Sequence, residues 1–400
     1  MANWTKVHLG SLVDANVRWS FSGGPFGSNL KVSDYTEDGV RIIQLQNIGE
    51  GVFNDEYKIF TSESKADDLI ANNIYPGEII FSKMGDPVAR ACIVPCGAPR
   101  YVMASDGIRF KPDPKKADVY FLLNYVNCAA FRKAAESVSS GSTRMRIGLD
   151  ELRMLEIPLP PLAEQRKIAE ILRTWDEAIE TAEAELKAKQ ERKRWLMNKL
   201  LTCPSELNGA LHQNTWTTVG LGEVASFQNG EAFSSRYFNS EKRGLRLIRN
   251  RDLKNDDQII FYDGEYSAKD VVNDGDLLVG MDGDFTPVIW NKGKALLNQR
   301  VGRITVKPET SKSYIYYTLY SVLTELEHVT SATTVKHLSS KGCLLLKISM
   351  PPFTSQCLIS GILQSADADI QAINQRIEAL RSQKRGLMQK LLTGKVRVAA

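Results

Sequence analysis

The chain contains an internal duplication that covers two long, highly charged segments. Residues 157–202 align without a gap with residues 348–393, and 18 of the 46 aligned positions are identical. The matched positions include a proline pair near the start of each segment and the run KLLT at its end. A match of this length is not accidental, and a repeat constrains the organisation of a chain more than any other pattern. The chain must therefore build the same kind of unit twice.

The segments that precede the two repeats also correspond, although more loosely. GVRIIQLQNI (39–48) aligns with GLRLIRNRDL (244–253), and PGEIIFSKMGD (76–86) aligns with DGDLLVGMDGD (274–284). These preceding segments have diverged far more than the repeats that follow them. The sequence therefore predicts two globular domains that alternate with two helices: domain 1 over 1–157, helix 1 over 158–203, domain 2 over 204–348, and helix 2 with a C-terminal tail over 349–400.

Both repeats predict long coiled-coil helices. Apolar residues recur at alternating steps of four and three, which is the period of a coiled-coil seam. Prolines precede each helix, and Pro204 and Gly394 mark the predicted ends. About 40 residues at ~1.5 Å each give a length of roughly 60 Å. The predicted seam comprises Ile168, Leu172, Trp175, Ile179 and Leu186 in the first helix and Ile359, Leu363, Ile370, Ile373, Ile377 and Leu380 in the second.

The two seams are most simply buried against each other, because neither helix can bury its seam alone. An antiparallel pair would form a rod with one globular domain at each end; the alternative is a dimerisation zipper. Lys189, Lys193 and Lys384 interrupt the seams, and polar seam residues help to fix register at a cost in stability. The outer face of the first helix is charged, with Glu180, Glu183, Arg192 and Arg194. This face is either solvated surface or a docking face for another subunit.

The globular segments predict mainly β domains. Each contains short β-type runs bounded by turn residues, such as GEIIFSK (77–83) and VGRITVKP (301–308), and one helix, near 118–135 and near 311–328. The expected fold class is α+β: two mainly-β globular domains joined by two long antiparallel coiled-coil helices, with an internal pseudo-two-fold repeat. The domains have many loops for their size, which favours a binding role for those loops.

Polar side chains at the predicted strand ends suit contacts with nucleic acid. Asn and Gln pair bidentately with adenine and Arg with guanine, whereas Ser, Thr and Lys hold phosphates. Any one of these residues taken alone is more often an ordinary loop residue, and their recurrence at matched positions in two copies favours a function. The candidates are Gln44, Gln46, Asn47, Lys83, Ser142, Thr143, Arg144 and Arg146 in the first half, and Arg249, Asn250, Arg251, Asn298, Gln299, Arg300, Thr333, Thr334 and Lys336 in the second.

Composition limits the function classes further. The net charge of +4 and the pI of about 8.6 permit nucleic-acid binding without requiring it. The six cysteines and four histidines lack the paired spacing of a zinc site, so we expect no metal. Apolar runs are shorter than the ~18 residues that span a bilayer, and the N-terminus does not read as a signal peptide. We therefore expect a cytosolic protein without membrane contact.

No pattern in the chain predicts catalysis. Phosphate-binding, dinucleotide-binding, serine-nucleophile and zinc-protease motifs are all missing from the sequence. Met350-Pro351-Pro352-Phe353 resembles the motif with which amino-methyltransferases of DNA bind the target amine, but a methionine thioether is only a weak acceptor. We interpret these prolines as the start of helix 2 and expect no catalytic residue.

The start of helix 1 resembles one protein family. Helix 1 follows a proline pair, begins with the run EQRKIAEIL (164–172), continues through Asp176 and ends in KLL. This pattern is similar to that of the specificity (S) subunit of type I restriction–modification systems. GSTRMRI (141–147), upstream of the helix, is also typical, and the resemblance covers essentially the whole chain. The second copy departs from the pattern at Ser355, Cys357 and Leu358, so the two helices are expected to dock partners unequally.

The resemblance implies a DNA-recognition subunit. Each globular domain would read one half of a bipartite, asymmetric double-stranded DNA target. The helices would set the spacing and dock two modification subunits, which methylate adenine, and restriction–translocase subunits would join them. S-adenosylmethionine, ATP and Mg²⁺ would then belong to those partners, in the cytoplasm of a bacterium or archaeon. The alternatives are a self-contained adenine methyltransferase and a coiled-coil adaptor that does not bind DNA.

Overall fold

The computed structural model describes residues 4–141, 144–201, 216–329 and 337–398. The chain divides into two compact units, and each unit combines one globular domain with a part of both long helices. Unit 1 comprises Met1–Glu183 and Arg376–Ala400, and unit 2 comprises Ala184–Gln375. The two units are described separately below.

Unit 1 contains eleven strands in its described part. They form a four-stranded sheet in the order β2-β10-β7-β8, a five-stranded sheet in the order β3-β5-β4-β9-β6, and the pair β1-β11. All neighbours are antiparallel except β4 and β9. The strands are β1 (Thr5–His8), β2 (Phe21–Gly23), β3 (Tyr35–Thr36), β4 (Val40–Ile43), β5 (Ile59–Thr61), β6 (Asn73–Ile74), β7 (Ile79–Ser82), β8 (Ala91–Ile93), β9 (Tyr101–Met103), β10 (Gly107–Phe110) and β11 (Glu156–Leu159).

Most helices of unit 1 pack on the four-stranded sheet, whereas the first packs on the five-stranded sheet. Besides short 3-10 turns the helices are α1 (Glu63–Asp68), α2 (Val119–Val126), α3 (Ala129–Val138), α4 (Leu149–Met154) and the first part of α5 (Leu162–Leu201). The central strand β7 is buried on both faces: Ile79 and Phe81 point into the core with the helices, whereas Ile80 points into a second core shared with the five-stranded sheet. Such burial on both faces explains the uninterrupted apolar run of β7, since successive strand residues face opposite sides.

Unit 2 repeats this topology strand for strand. Its sheets have the orders β13-β21-β18-β19, β14-β16-β15-β20-β17 and β12-β22, and among the strands described for unit 2 the parallel pair is β15 with β20. The elements are β12 (Thr217–Gly220), α6 (Leu221–Val224), β13 (Ala225–Asn229), β14 (Phe238–Asn239), β15 (Leu245–Ile248), β16 (Ile260–Tyr262), β17 (Val271–Val272), β18 (Leu277–Gly280), β19 (Pro287–Ile289), β20 (Ala295–Leu297), β21 (Val301–Val306), α7 (Lys312–Val329), α8 (Ser340–Leu344), β22 (Lys347–Met350) and α9 (Phe353–Leu391).

The expected mainly-β domains with two long helices are confirmed, with one correction. The helix expected near 118–135 is two helices, α2 and α3, because the side chain of Asn127 ends α2. Its amide nitrogen donates to the carbonyl oxygens of Leu123 (2.9 Å) and Ala91 (2.9 Å), and its oxygen accepts from the Ala91 amide (3.2 Å). The chain therefore turns at Asn127 to stay tied to β8. The helix expected near 311–328 is the continuous helix α7.

The helix seams are buried in both units. Ile168 and Leu172 join the core of unit 1 together with Leu391 from α9, and Ile359 and Leu363 join the core of unit 2 together with residues from the end of α5. Ile373 and Ile377 are buried as well. The remaining predicted seam residues are partly buried, namely Trp175, Ile179, Leu186, Ile370 and Leu380.

Ion pairs across the two helices run in antiparallel order within each unit. In unit 1, Asp176 binds Lys384, and Glu183 Oε1 lies 2.7 Å from a terminal guanidinium nitrogen of Arg381. In unit 2, Lys189 Nζ lies 2.6 Å from Asp369 Oδ2 and Lys193 Nζ lies 2.5 Å from Asp367 Oδ1. The lysines that interrupt the seams are therefore each paired with an aspartate of the other helix. In the described part of the chain, every helix is too short or too polar to cross a bilayer.

Candidate nucleic-acid interface

Five loops of unit 1 meet on one face, which we call surface 1 (residues 24–30, 44–46, 83–86, 104–106 and 144–146). Main-chain hydrogen bonds join these loops. The amide of Lys83 donates to the carbonyl of Asp106 (2.7 Å), the amide of Ile147 to the carbonyl of Lys83 (2.9 Å), and the amide of Gly24 to the carbonyl of Gly107 (2.8 Å). Because the backbone is held in this way, the side chains on surface 1 project from a fixed framework.

Surface 1 contains three open clefts whose walls combine polar and apolar groups. A cleft of about 270 Å³ is lined by Gln44 and Gln46 together with the ring of Phe26. A cleft of about 710 Å³ is lined by Lys83 and Arg146, and one of about 720 Å³ is lined by Arg144. Five sequence-predicted residues therefore lie on one face: Gln44, Gln46, Lys83, Arg144 and Arg146.

Hydrogen bonds orient two of these side chains. A guanidinium nitrogen of Arg146 lies 2.7 Å from Asp106 Oδ1, and the Arg146 side chain remains half exposed. The amide nitrogen of Gln44 lies 3.3 Å from the hydroxyl of Tyr35, and the Gln46 side chain is exposed. Surface 1 thus combines exposed amide groups with cations, a composition suited to base edges and phosphates.

Asn47 corrects the predicted set. Its side chain is buried, with its oxygen accepting from the Gln44 amide (2.9 Å) and its nitrogen donating to the carbonyls of Asn54 (2.9 Å) and Tyr57 (2.9 Å). All of these bonds stabilise the turn after β4. Asn47 therefore shapes the loop that carries Gln44 and Gln46 and does not face the surface itself.

The corresponding loops of unit 2 form an equivalent face, surface 2 (residues 230–233, 249–252, 281–285, 298–300 and 337). The same main-chain bonds recur: the amide of Met281 donates to the carbonyl of Arg300 (3.0 Å), the amide of Leu338 to the carbonyl of Met281 (2.8 Å), and the amide of Gly230 to the carbonyl of Val301 (3.1 Å). Surface 2 therefore has the framework of surface 1.

The charges on surface 2 differ from those on surface 1. Asp282 accepts from the guanidinium of Arg300 and lies 2.7 Å from Nδ1 of His337. The side chains of Arg251 and Gln299 are exposed, as is that of Arg300. At the matched positions of the framework, Met281 stands in place of Lys83, Arg300 in place of Asp106, and His337 in place of Arg146.

Three predicted residues of unit 2 brace this framework. Arg249 forms a two-pronged ion pair with the buried Asp252, with N–O distances of 2.8 and 2.9 Å. The side-chain nitrogen of Asn250 donates to the carbonyl of Asp282 (2.6 Å), and its side-chain oxygen accepts from the main-chain amide of Met281 (3.1 Å). Asn298 is buried and accepts from the Arg300 amide (3.2 Å), so the expectation that it contacts a ligand directly is corrected.

Only some of the residues predicted to contact phosphates are among those that the structure describes. Arg144 and Arg146 lie on surface 1. The other predicted contacts of this kind lie outside the described residues, namely Ser142, Thr143, Thr333, Thr334 and Lys336. Their assignment stays a prediction.

An aspartate on each long helix holds the globular domain and the other helix together. In unit 1, Asp176 on α5 accepts from the hydroxyl of Tyr120 on α2 and binds Lys384 on α9. In unit 2, Asp367 on α9 accepts from the hydroxyl of Tyr317 on α7 (2.7 Å) and binds Lys193 on α5. We call each set an aspartate anchor.

The aspartate anchors keep their tyrosines neutral. Burial and the hydrogen bond to Asp176 raise the pKa of Tyr120, and burial and the hydrogen bond to Asp367 raise the pKa of Tyr317. Each hydroxyl therefore remains a hydrogen-bond donor to its carboxylate throughout the physiological pH range.

A second duplicated contact involves a buried glutamine at the start of each long helix. Gln165 accepts from the amide of Asp118 (2.9 Å) and donates to the carbonyl of Pro160 (2.8 Å). Gln356 accepts from the amide of Ser311 (2.9 Å) and donates to the carbonyl of Pro351 (2.9 Å). We call these the glutamine anchors; each fixes the first turn of a long helix to the helix of its domain.

Sequence reasoning did not assign these roles. Gln165 and Gln356 are identical positions of the repeat, as are Asp176 and Asp367, but the domain residues that they bind lie far along the chain. The signal that could have identified them was their identity in two copies, together with a tyrosine in the preceding domain helix of each half.

One contact in unit 1 has no counterpart in the residues described for unit 2. The buried carboxylate of Glu164 forms a two-pronged ion pair with Arg397, with N–O distances of 2.6 and 2.7 Å. The hydrogen bonds from Arg397 lower the pKa of Glu164. Arg397 also lies over the ring of Trp4, 5.7 Å from its centroid. In the second repeat a serine, Ser355, stands at the position of Glu164.

One protein family matches most of the chain in sequence. The family described as "Type I restriction modification DNA specificity domain" matches twice, over residues 34–190 and 213–382. Each matched region covers most of one globular domain and the first part of the long helix that follows it.

Curated relatives carry related names. The chain is 36% identical over 176 residues to the type I restriction enzyme EcoBI specificity subunit of Escherichia coli, an alignment that covers 44% of this chain and only 37% of that protein. It is 24% identical over 382 residues to the putative type I restriction enzyme MjaX specificity subunit of Methanocaldococcus jannaschii, covering 90% of this chain and 88% of that protein.

Solved structures share the fold. One is a chain from a study of complex assembly and conformational transition of the type I R-M system, with a TM-score of 0.59, 17% identity and 97% of both chains covered. Another is the type I restriction-modification S subunit from M. genitalium, with a TM-score of 0.58, 16% identity, and 97% of this chain and 96% of that chain covered.

Proposed function

Because the chain belongs to the family of type I restriction-modification DNA specificity domains, we propose that each unit binds one half of a bipartite DNA target through its loop surface. One observation carries the proposal: surfaces 1 and 2 share a main-chain framework but present different side chains on it. Where surface 1 carries Lys83 and Arg146, the matched positions of unit 2 are the buried Met281 and the exposed His337.

The chemistry of the two surfaces fits direct reading of base pairs. Gln pairs bidentately with adenine and Arg with guanine in the major groove. Surface 1 offers Gln44 and Gln46, and surface 2 offers Gln299, Arg251 and Arg300, all on loops that the backbone holds in place. Since the side chains differ at matched positions, the two half-sites would differ in sequence, and the whole target would be asymmetric.

The partners follow from the same family. Two methyltransferase subunits would dock on the chain, and restriction–translocase subunits would join them. S-adenosylmethionine, ATP and Mg²⁺ would be bound by those partners, and the assembly would act in the cytoplasm of a bacterium or archaeon. Two observations support a non-catalytic role for this chain. Met350 pairs with Thr217 between β12 and β22, and the carbonyl of Pro351 accepts from Gln356, so the Met-Pro-Pro-Phe segment joins a strand to a helix.

Selection from a randomised duplex library tests the proposal. The full-length chain, with its methyltransferase partners, should enrich a sequence with two specified blocks separated by an unspecified spacer. Binding should weaken steeply with salt, because phosphate contacts release counterions. Enrichment of a single continuous block, or of no sequence at all, would contradict the proposal.

A further inference from the structure

One aromatic side chain projects into solvent from the middle of surface 1. The ring of Phe26 is 83% exposed, yet it lines both the cleft that contains Gln44 and the cleft that contains Lys83. Singly exposed apolar side chains are common on protein surfaces, and Phe26 differs from the others in lying between two clefts of a surface that we propose to bind DNA. Phe26 therefore needs an explanation that an isolated surface residue would not.

The loop that carries Phe26 is firmly attached to the domain. The amide of Gly24 donates to the carbonyl of Gly107 (2.8 Å), and the side chain of Asn72 donates to the carbonyl of Gly23 (2.9 Å). A β-carbon on Gly24 would lie 1.8 Å from the carbonyl oxygen of Ala104, so only glycine allows this close approach. The outward position of the ring thus follows from the fold of the loop.

Polar groups flank the ring on both sides. Gln44 and Gln46 lie along one cleft, and Lys83 and Arg146 lie along the other. Proteins that kink DNA combine an apolar wedge, often Phe, with neighbouring polar and cationic side chains that hold the bases and the backbone. The arrangement around Phe26 has both components.

Unit 2 carries the aromatic residue of the corresponding loop one position later and holds it differently. Gly230 is the counterpart of Gly24, because its amide makes the equivalent bond and a β-carbon there would lie 2.1 Å from the carbonyl oxygen of Asn298. The aromatic residue that follows, Phe233, packs on Tyr262 with ring centroids 4.8 Å apart. Its ring is therefore held against the five-stranded sheet of unit 2.

We propose that Phe26 inserts as a wedge against a base step in the half-site bound by unit 1 and partly unstacks it. Phe233 does not act in this way on the other half-site. The inference rests on the proposed function, since it assumes that surface 1 binds DNA. It adds that only one of the two half-sites is distorted by an aromatic side chain from this loop.

The test places 2-aminopurine, whose fluorescence rises when it unstacks, at single positions in each half of the target. With the full-length chain and its methyltransferase partners, and with the probe kept away from the methylated adenines that those partners flip out of the stack, we expect a rise at a step in the half-site of unit 1 and none in the other half. Phe26→Ala should abolish the rise and weaken binding roughly tenfold, the typical loss when one base–aromatic contact is removed. Phe26→Leu should retain part of the rise, because an apolar wedge need not be aromatic.

A matched control is Val32→Ala. Val32 is also highly exposed, at 79%, but does not line the clefts of surface 1, so this variant should bind and distort DNA as the unaltered chain does. Sequence-specific binding without any rise, or a rise that persists in Phe26→Ala, would overturn the wedge and leave the proposed function intact. A rise in the other half-site that Phe26→Ala removes would overturn the assignment to unit 1. Loss of all sequence-specific binding by the unaltered chain would contradict both.

Discussion

The two units of this molecule are alike where they hold the helices and different where they face outward. The glutamine and aspartate anchors recur with the same atoms, from Gln165 and Gln356 to Asp176 and Asp367. The loop surfaces share their backbone bonds but not their side chains. After duplication, the contacts that set the position of each domain on its helices were therefore kept, while the groups available to a ligand changed.

The largest effects are expected at the glutamine anchors. Gln165→Leu and Gln356→Leu should each lower the free energy of unfolding by about 3 kcal/mol, because each leaves a buried amide and a carbonyl without a partner. Denaturant titration measures the loss. The control Gln190→Leu, at an exposed position on α5, should change stability by less than about 0.5 kcal/mol. A large loss for Gln165→Leu with none for Gln356→Leu would break the equivalence of the two units.

Smaller losses are expected at the aspartate anchors. Asp176→Asn and Asp367→Asn should each cost about 2 kcal/mol, because a partly buried lysine loses its countercharge and a tyrosine loses a charged acceptor. A double-mutant cycle with Lys384→Met and one with Lys193→Met would measure the coupling in each unit. The two coupling energies should agree. A coupling energy in only one unit would show that the same geometry does not give the same interaction energy in both units.

Arg397→Ala tests a difference between the two units, because the ion pair of Arg397 with Glu164 belongs to unit 1. Its hydrogen bonds hold the pKa of Glu164 below the ordinary value of 4.5. A depressed carboxyl pKa stabilises the fold above the unfolded pKa, and this contribution is lost as the pH falls through the folded pKa. Arg397→Ala should therefore lower the melting temperature at pH 7 and have a diminishing effect below about pH 4. A pH-independent loss would mean that Arg397 acts by packing on Trp4 instead.

The smallest effects concern single side chains on the loop surfaces. Gln46→Ala should weaken binding by about 1 kcal/mol and relax sequence preference in the unit 1 half-site, whereas Gln299→Ala should do so in the other half-site. Anisotropy titrations against targets altered in one half at a time would measure this. Neither variant should change the melting temperature, because both side chains are exposed. Relaxed preference in both half-sites from either variant would contradict independent reading.

The sequence was most informative where a pattern repeats along the chain. The seam residues, the strand runs and α7 followed from periodicity, because burial imposes a period of 3.5 on a coiled coil and of 2 on a strand. Asn47 was misassigned because a polar residue after a strand looks the same whether it faces solvent or closes a turn. Lys384 and Tyr120 meet at Asp176 from distant parts of the chain, and no local pattern encodes such a meeting.

The central claim is that each unit reads its own half of one DNA target. Its most direct test is to replace residues 1–157 with the first domain of another family member and to map methylated adenines in cells that carry the assembled complex. The account predicts that one half of the methylated sequence changes while the other half is retained. A methylated sequence that stays whole, or that changes in both halves, would contradict the claim.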